Sequence, residues 1–301
     1  MSASGGTRAI IAAFLANTGI ALTKFIAWFF SGSASMLAEG VHSVADAGNQ
    51  LLLILGGRQA KKKADKEHPF GYGRERYVYA FVVSIILFSV GGIFSIYEGI
   101  DKLQHPHELE VPWLPILVLS IAIVLESFSL RTAIKESNHV RGRQSWVQFV
   151  RHAKAPELPV VLLEDIAALL GLVIAFVFVA LAALTGDTRF DALGSVSIGV
   201  VLIAISVFIA IRIKRLIVGT SAEEDLRDGI NAMIREDPAI EKLFKAITLQ
   251  VGPKVMLAAK IKMRSDLNVE VAVERMNALE RRIRERFPEI GWCFIEPDVV
   301  D

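Results

Sequence analysis

Long apolar runs, separated by short polar or charged segments, dominate the first two thirds of the 301-residue chain. Six of these runs hold about 20 or more largely apolar residues, the helix length that crosses a hydrocarbon core of roughly 30 Å. They predict membrane-spanning helices near residues 9–31, 34–57, 77–101, 113–134, 158–185 and 191–213. A hydrophobic content of 53% and a mean hydropathy of +0.46 agree with a multi-span membrane protein.

The pattern changes after residue 219. An amphipathic helical period comes first, then two strand-like segments joined at Gly252-Pro253, a second amphipathic helix and a last short strand. This order predicts an α+β domain of the ferredoxin-like αββαβ type. We therefore expect a transmembrane transport domain over residues 1–219 and a cytoplasmic dimerisation or regulatory domain over 220–301. A small sheet with an open edge commonly associates with a second copy, so a homodimer is expected.

Positive charge is distributed unevenly between the loops. Lys and Arg concentrate in the segments 58–76 and 131–154, whereas the alternate connections are nearly free of cations. By the positive-inside rule, both termini are predicted to be cytoplasmic. The net charge of +1 comes without a basic surface interleaved with aromatic residues, so nucleic acid is not an expected partner.

The second predicted span contains a stretch that is too polar for lipid. Residues 38–50 read AEGVHSVADAGNQ, and within them His42 and Asp46 are four positions apart. On a helix these two side chains share one face, with Cβ atoms roughly 5–6 Å apart. An imidazole and a carboxylate at this spacing form half of a site for a metal such as Zn²⁺. An unpaired ionisable residue in a membrane costs at least roughly 2.5–3.5 kcal/mol, which favours a functional role.

The fifth predicted span supplies the second half of this site. Glu164 and Asp165 are its charged residues inside the apolar run, and both can border one cavity because consecutive helical residues are about 100° apart. Two other spans carry isolated charges. Lys24 either snorkels towards the interface or faces the second span, and Glu126, in the middle of the fourth span, needs a partner.

Several of these segments together resemble the cation diffusion facilitators, a family of proton-coupled exporters of divalent metals. The resemblance rests on AEGVHSVADAGNQLLL, HPFGYGRERY, LLEDIAALLG, FDALGSVSIG and the αββαβ C-terminal domain, and it covers nearly the whole chain. It implies a transport site of two residues four apart on each of two spans. Those positions are here His42, Asp46, Val161 and Asp165.

Val161 departs from the family pattern because a valine cannot bind a metal. The fourth ligand would then be Glu164, Asn49 or water, and Glu164 is preferred because it lies on the same side of the helix as positions 161 and 165. The predicted metal ligands are therefore His42, Asp46, Asp165 and Glu164. One nitrogen with three oxygens suits Zn²⁺, and it also accepts Mn²⁺, Fe²⁺, Co²⁺ or Cd²⁺.

The resemblance also implies a second metal site in the loop after the second span. Asp65 and His68 match that site, but the next histidine position is Tyr72, so the site is incomplete or the loop is purely structural. The single cysteine, Cys293, excludes an internal disulfide and a cysteine-cluster zinc site. We expect it to be a small core residue in the last strand.

The sequence thus predicts a secondary transporter that exports a divalent metal, most simply Zn²⁺, from the cytoplasm through the lipid bilayer, with protons as counter-ions. The metal is the substrate, and no cofactor is expected. A bacterial plasma (inner) membrane is the expected location, and an organelle membrane is the alternative. The alternatives are a metal-binding membrane sensor or scaffold, and a membrane-embedded metalloenzyme, although no HExxH motif is present.

Overall fold

The computed structural model describes residues 4–31, 34–105 and 113–300. The chain divides into two compact units. The first consists of Met1–Gln59 with Arg76–Lys214, and the second consists of Ala60–Glu75 with Arg215–Asp301. The first unit thus contains all six predicted spans, and the segment 60–75 belongs with the C-terminal residues.

Helices form the whole first unit where it is described. They are α1 (Ser4–Ser31), α2 (Ala34–Gln59), α3 (Glu75–Ile86), a π-helical segment (Leu87–Ile93), α4 (Phe94–Gln104), α5 (Trp113–Arg141), α6 (Trp146–His152), α7 (Glu157–Thr185) and α8 (Arg189–Val218).

Four helical stretches in the described residues are long and apolar enough to cross a membrane. They are Glu75–Gln104, α5, α7 and α8, and they coincide with the third to sixth predicted spans. Helices also form where the first two spans are predicted, since α1 contains 28 residues and α2 contains 26.

The helices α1, α2, α5 and α7 pack against one another. α1 contacts α2, α5 and α7, and α5 contacts α7. A small apolar cluster joins three of them, with Ile20 from α1, Leu119 and Ala122 from α5, and Leu172 and Val179 from α7. These four helices carry Lys24, Asp46, Glu126, Glu164 and Asp165, the charged residues that the sequence analysis singles out inside spans.

Glycines allow the π-helical segment and α4 to approach α8 closely. A Cβ atom added to Gly199 of α8 would lie 2.5 Å from Ile96 Cγ1 and 2.8 Å from the Gly92 carbonyl oxygen. A Cβ atom on Gly99 would lie 2.8 Å from the Ala192 carbonyl oxygen. Because real Cβ atoms do not approach backbone so closely, this contact requires glycine.

Polar contacts fix the start of α7 to two other helices. Arg76 of α3 donates from Nε and Nη2 to Glu157 Oε1, at 2.9 Å each. The Tyr77 hydroxyl donates to the Lys154 carbonyl at 3.2 Å, and Arg212 of α8 donates to the Ala153 carbonyl at 2.9 Å. The segment that leads into α7, and hence the position of its buried carboxylates, is therefore held by α3 and α8.

The second unit has the helix and strand order that the sequence predicts. Its elements are α9 (Glu224–Arg235), β1 (Ile240–Val251), β2 (Lys254–Met263), α10 (Val269–Arg286) and β3 (Ile290–Pro297). The sheet order is β1-β2-β3, with β1 antiparallel and β3 parallel to β2. Ile230 and Ile283 of the two helices pack with Leu257 and Ile261 of the central strand in one core.

Segment 60–75 packs on this sheet unit. The β1–β2 turn adopts a φ of +60° at Gly252, and a Cβ atom there would lie 2.6 Å from the Gly73 Cα. Phe70 meets Trp292 of β3 edge to face, with ring centroids 5.3 Å apart. Gly252 is thus required for the backbone contact between the segment and the turn, and Gly73 packs tightly against it.

We predict that Gly199→Ala lowers the thermal unfolding temperature in detergent by several degrees, because overpacking typically costs about 1–3 kcal/mol. The matched control is Gly19→Ala in α1, where an added Cβ atom meets no described heavy atom within 4 Å. Alanine is the better helix former, so this variant should keep or raise the unfolding temperature. Equal temperatures for the two variants would contradict the close contact.

Candidate metal centre

α2 and α7 carry the polar side chains that the sequence predicts as two halves of one site. Asp46, Asn49 and Gln50 lie within two turns of α2, and Glu164 and Asp165 are adjacent on α7. All five residues are buried, with exposed fractions from 0% for Gln50 to 7% for Asp46. Burial at this level forces each polar atom to find a partner inside the protein or to bind a ligand.

Direct hydrogen bonds connect the two helices at Glu164. Asn49 Nδ2 donates to Glu164 Oε1 at 2.8 Å, and Gln50 Nε2 donates to Glu164 Oε2 at 2.7 Å. Both carboxylate oxygens of Glu164 are therefore held by α2. Two bonds from neighbouring residues of α2 to one carboxyl group fix the register of α2 against α7.

A third helix contributes to the same cluster. The Ser129 hydroxyl of α5 donates to Asp165 Oδ2 at 3.0 Å. Asp46 interacts electrostatically with both Glu164 and Asp165. Sequence reasoning missed Ser129, although it lies three residues after Glu126 and hence on the same face of α5.

Two amide oxygens at this cluster have no hydrogen-bond partner among the described residues. They are Asn49 Oδ1 and Gln50 Oε1, and both are buried. An unsatisfied buried acceptor is costly, by about 1–3 kcal/mol, unless it serves a ligand. Amide carbonyl oxygens bind divalent cations, so each of these atoms can complete a coordination sphere.

The described side chains do not by themselves form a finished metal site. No three His, Cys, Asp or Glu side chains among them are placed to hold one ion. His42 lies in α2, but its side chain is outside the described part of the structure. Val161, the apolar residue at the family's ligand position, is fully buried four residues before Asp165.

A cavity of ≈ 40 Å³ borders this cluster and reaches residues that sequence analysis did not assign to the site. Its polar lining comes from Asn17 and Lys24 of α1, Ser43 and Asp46 of α2, and Glu126 of α5. Lys24 thus faces the second helix and does not snorkel towards the membrane interface.

The two loop residues of the predicted second metal site lie beside each other. Asp65 Oδ1 accepts from the backbone N–H groups of Glu67 and His68, at 3.0 and 2.7 Å, and Asp65 Oδ2 accepts from the Tyr72 hydroxyl at 2.7 Å. The His68 and Tyr72 rings stack with centroids 4.2 Å apart.

These contacts organise the loop. The hydrogen bond from Tyr72, followed by the backbone bond from His68, lowers the pKa of Asp65 below its ordinary value. Asp65 therefore stays ionised under acidic conditions and keeps accepting these bonds. Oδ1 thus accepts two hydrogen bonds, whereas Oδ2 accepts the one from Tyr72 and keeps a second acceptor position.

Cys293 lies in β3 and is buried. Burial, with a smaller contribution from Glu280, raises the pKa of its thiol to about 11. The protonated thiol therefore predominates near neutral pH, and a protonated thiol is a poor nucleophile and a poor metal ligand.

Known proteins resemble this chain over the helical unit and over most of the remaining residues. The family profile described as the cation efflux transmembrane domain matches residues 10–217. A protein named mitochondrial proton-coupled zinc antiporter SLC30A9, from Xenopus laevis, is 32% identical over 285 residues, which cover 94% of this chain and 50% of that relative. The human protein of the same name is 29% identical over 282 residues, covering 92% of this chain and 48% of the relative.

A bacterial relative matches over more of its own length. The cation-efflux pump FieF of Klebsiella pneumoniae is 26% identical over 283 residues, which cover 94% of this chain and 89% of the pump. The chain thus spans about half the length of the mitochondrial antiporters and most of the bacterial pump.

We predict that the Cys293 thiol of the folded protein reacts with a maleimide at pH 8 at least about a hundredfold more slowly than in denaturant, because its thiolate fraction is smaller and its sulfur is buried. Since Cys293 is the single cysteine, labelling reports this site alone. The control is Val299→Cys with Cys293→Ser, which places the thiol at a position that is 76% exposed. Comparable rates in the folded and denatured states would contradict the burial of Cys293.

Proposed function

The chain belongs to the cation efflux family, and on that premise we propose that it is a secondary transporter that exports a divalent transition metal, Zn²⁺ first, in exchange for protons. The observation that supports this most is the set of buried carboxylates which α2 and α7 bring together inside apolar helices. Such groups are expensive in a membrane unless they bind an ion or a proton. The metal is the substrate, and the reaction involves no catalytic residue.

The proposed metal ligands are His42 and Asp46 of α2 with Asp165 and Glu164 of α7. Glu164 would exchange its hydrogen bonds from Asn49 and Gln50 for the ion. The competing arrangement keeps those bonds. Glu164 then accepts from Asn49 Nδ2 and so orients the amide, and Asn49 Oδ1 binds the metal. Either arrangement supplies the oxygen that Val161 lacks.

Proton exchange follows from the same ligands. Imidazole and carboxylate groups must be deprotonated to bind a cation, and they can accept protons when it leaves. One set of residues can therefore serve the metal and the protons at different times. In our proposal, α1 and α2 complete a set of six spans, with both termini on the side from which the metal is taken.

We further propose that two copies of the chain associate. In the second unit, Ile247 of β1 and Phe294 of β3 flank Ala258 of β2, and these two apolar side chains are 49% and 55% exposed. Apolar residues grouped on one sheet face favour a protein partner, and a second copy of this α+β domain of ferredoxin-like order is the simplest one.

The comparisons do not identify the membrane in which the protein works. Relatives that are named mitochondrial do not support the expected bacterial inner membrane, and another relative, the cation-efflux pump FieF, comes from a bacterium. The proposal therefore extends to any membrane across which a proton gradient can drive metal export.

Transport by the reconstituted full-length protein tests the proposal. We expect proteoliposomes to show metal-dependent proton flux with Zn²⁺, and the same assay with Mn²⁺, Fe²⁺, Co²⁺ and Cd²⁺ ranks the possible substrates. Metal binding without any flux would instead support a membrane sensor or scaffold.

We predict that Asp46→Asn and Asp165→Asn each reduce zinc flux at least about a hundredfold, because each substitution removes a charged oxygen ligand while preserving shape. The matched control is Asp228→Asn, an exposed carboxylate of α9. Unfolding temperatures near that of the wild type would show that the variants are folded. Wild-type flux in either site variant would refute the assignment.

We predict that Glu164→Gln weakens zinc binding about tenfold or more, measured by calorimetry, whereas Asn49→Ala has a smaller effect. The reason is that an amide lacks the negative charge of a carboxylate ligand. The reverse order, with Asn49→Ala the more severe, would make Asn49 the ligand and Glu164 the residue that orients it. Unchanged affinity in both variants would leave water as the fourth ligand.

A further inference from the structure

Lys24 is a buried cation in the middle of an apolar helix. It lies in α1 with 3% of its surface exposed, and its Nζ donates to the Ser43 hydroxyl of α2 at 3.0 Å. Keeping an ammonium group at such a position is costly unless negative charge is close. The surroundings of Lys24 therefore decide its role.

Those surroundings are the cavity beside the proposed metal ligands. The ammonium group shares this cavity of ≈ 40 Å³ with Asp46 and Glu126, while α7 and α8 contribute apolar side chains such as Ala167 and Leu202. Among the described residues that line it, Lys24 alone carries positive charge.

Glu126 is the acidic group that α5 contributes to this cavity. It is 2% exposed and lines the cavity. It interacts electrostatically with Lys24, and also with Asp46, Glu164 and Asp165. The described part of this cluster therefore sets one ammonium group against carboxylates from α2, α5 and α7.

We propose that Lys24 is an internal counter-cation of the metal site. Its ammonium group balances the carboxylates around Asp46 while no metal is bound, and it remains opposite Glu126 when the divalent ion enters. Lys24 then weakens metal affinity by repulsion and so permits release. This role deepens the proposed transport function and rests on it.

The alternative role for Lys24 is purely structural, as a hydrogen-bonded link between α1 and α2. The two roles predict opposite changes in metal affinity when the charge is removed. A structural lysine stabilises the site, so its loss would weaken binding. A counter-cation competes with the metal, so its loss would strengthen binding.

The first test is Lys24→Met, which keeps most of the side-chain length and removes the charge. We expect the zinc dissociation constant, measured by calorimetry on the full-length protein in detergent, to fall about tenfold. In proteoliposomes KM and kcat for zinc should both fall, because the ion binds more tightly and leaves more slowly. The control Lys24→Arg retains the charge and should stay within about threefold of the wild type.

A double-mutant cycle of Lys24 and Glu126 tests whether the two charges act on each other. Glu126→Gln alone should raise the dissociation constant about tenfold, because the Lys24 charge is then less well compensated. Because Glu126→Gln acts through the uncompensated Lys24 charge, it should have little effect once that charge is gone. The double variant Lys24→Met with Glu126→Gln should therefore bind zinc like Lys24→Met alone, and not at the wild-type value that additivity gives, and this non-additivity reports direct coupling. If Lys24→Met does not fold, Lys24→Gln replaces it in the same cycle.

Weaker or unchanged zinc binding in the neutral Lys24 variants, with only kcat reduced, would overturn the counter-cation role and leave the transport function intact. Strictly additive effects in the double variant would also overturn it. Absence of zinc-dependent flux in the wild-type protein is a different outcome, because it would overturn the transport proposal and this inference with it.

Discussion

The cost of holding charge away from water governs the first unit of this protein. Carboxylates of α2, α5 and α7 are buried among apolar helices, and the ammonium of α1 shares their cavity. The free-energy cost of burying any one of these charged groups without a partner would be prohibitive. Helix packing is therefore coupled to electrostatics, because Glu164 joins α7 to α2, Ser129 joins α5 to Asp165, and Lys24 joins α1 to Ser43.

This dependence suits an ion carrier. A fully satisfied polar core would hold the helices permanently. A cluster in which two buried amide oxygens have no hydrogen-bond partner among the described residues can instead gain stability when a cation binds. The contact of α8 with the π-helical segment is of a different kind, since it rests on glycine and shape rather than on charge. Changes in the ionic occupancy of the cluster should thus act first on α1, α2, α5 and α7.

Much of this organisation was predictable from the sequence. Apolar runs of sufficient length predicted the helical stretches that include α5, α7 and α8, because length and hydropathy are local properties. The period change after residue 219 likewise predicted the order of α9, β1, β2, α10 and β3. The bonds from Asn49 and Gln50 of α2 to Glu164 of α7 agree with the rule that a buried charge needs a partner.

Other features depend on contacts that a linear pattern does not encode. The two amide donors to Glu164 depend on the rotation of α2 about its axis, and the association of Gly73 with Gly252 depends on tertiary packing. No residue type in the sequence predicts the wide turn of the π-helical segment. This segment places Gly92 against α8.

Anomalous X-ray scattering at the zinc edge, on crystals of the full-length protein grown with zinc, tests the central claim most directly. The account predicts a zinc peak between α2 and α7, with carboxylate oxygens of Asp46 and Asp165 about 2.0–2.2 Å from the ion. A zinc ion bound only by the 60–75 segment or the C-terminal sheet unit, with no peak between these two helices at saturating zinc, would contradict it.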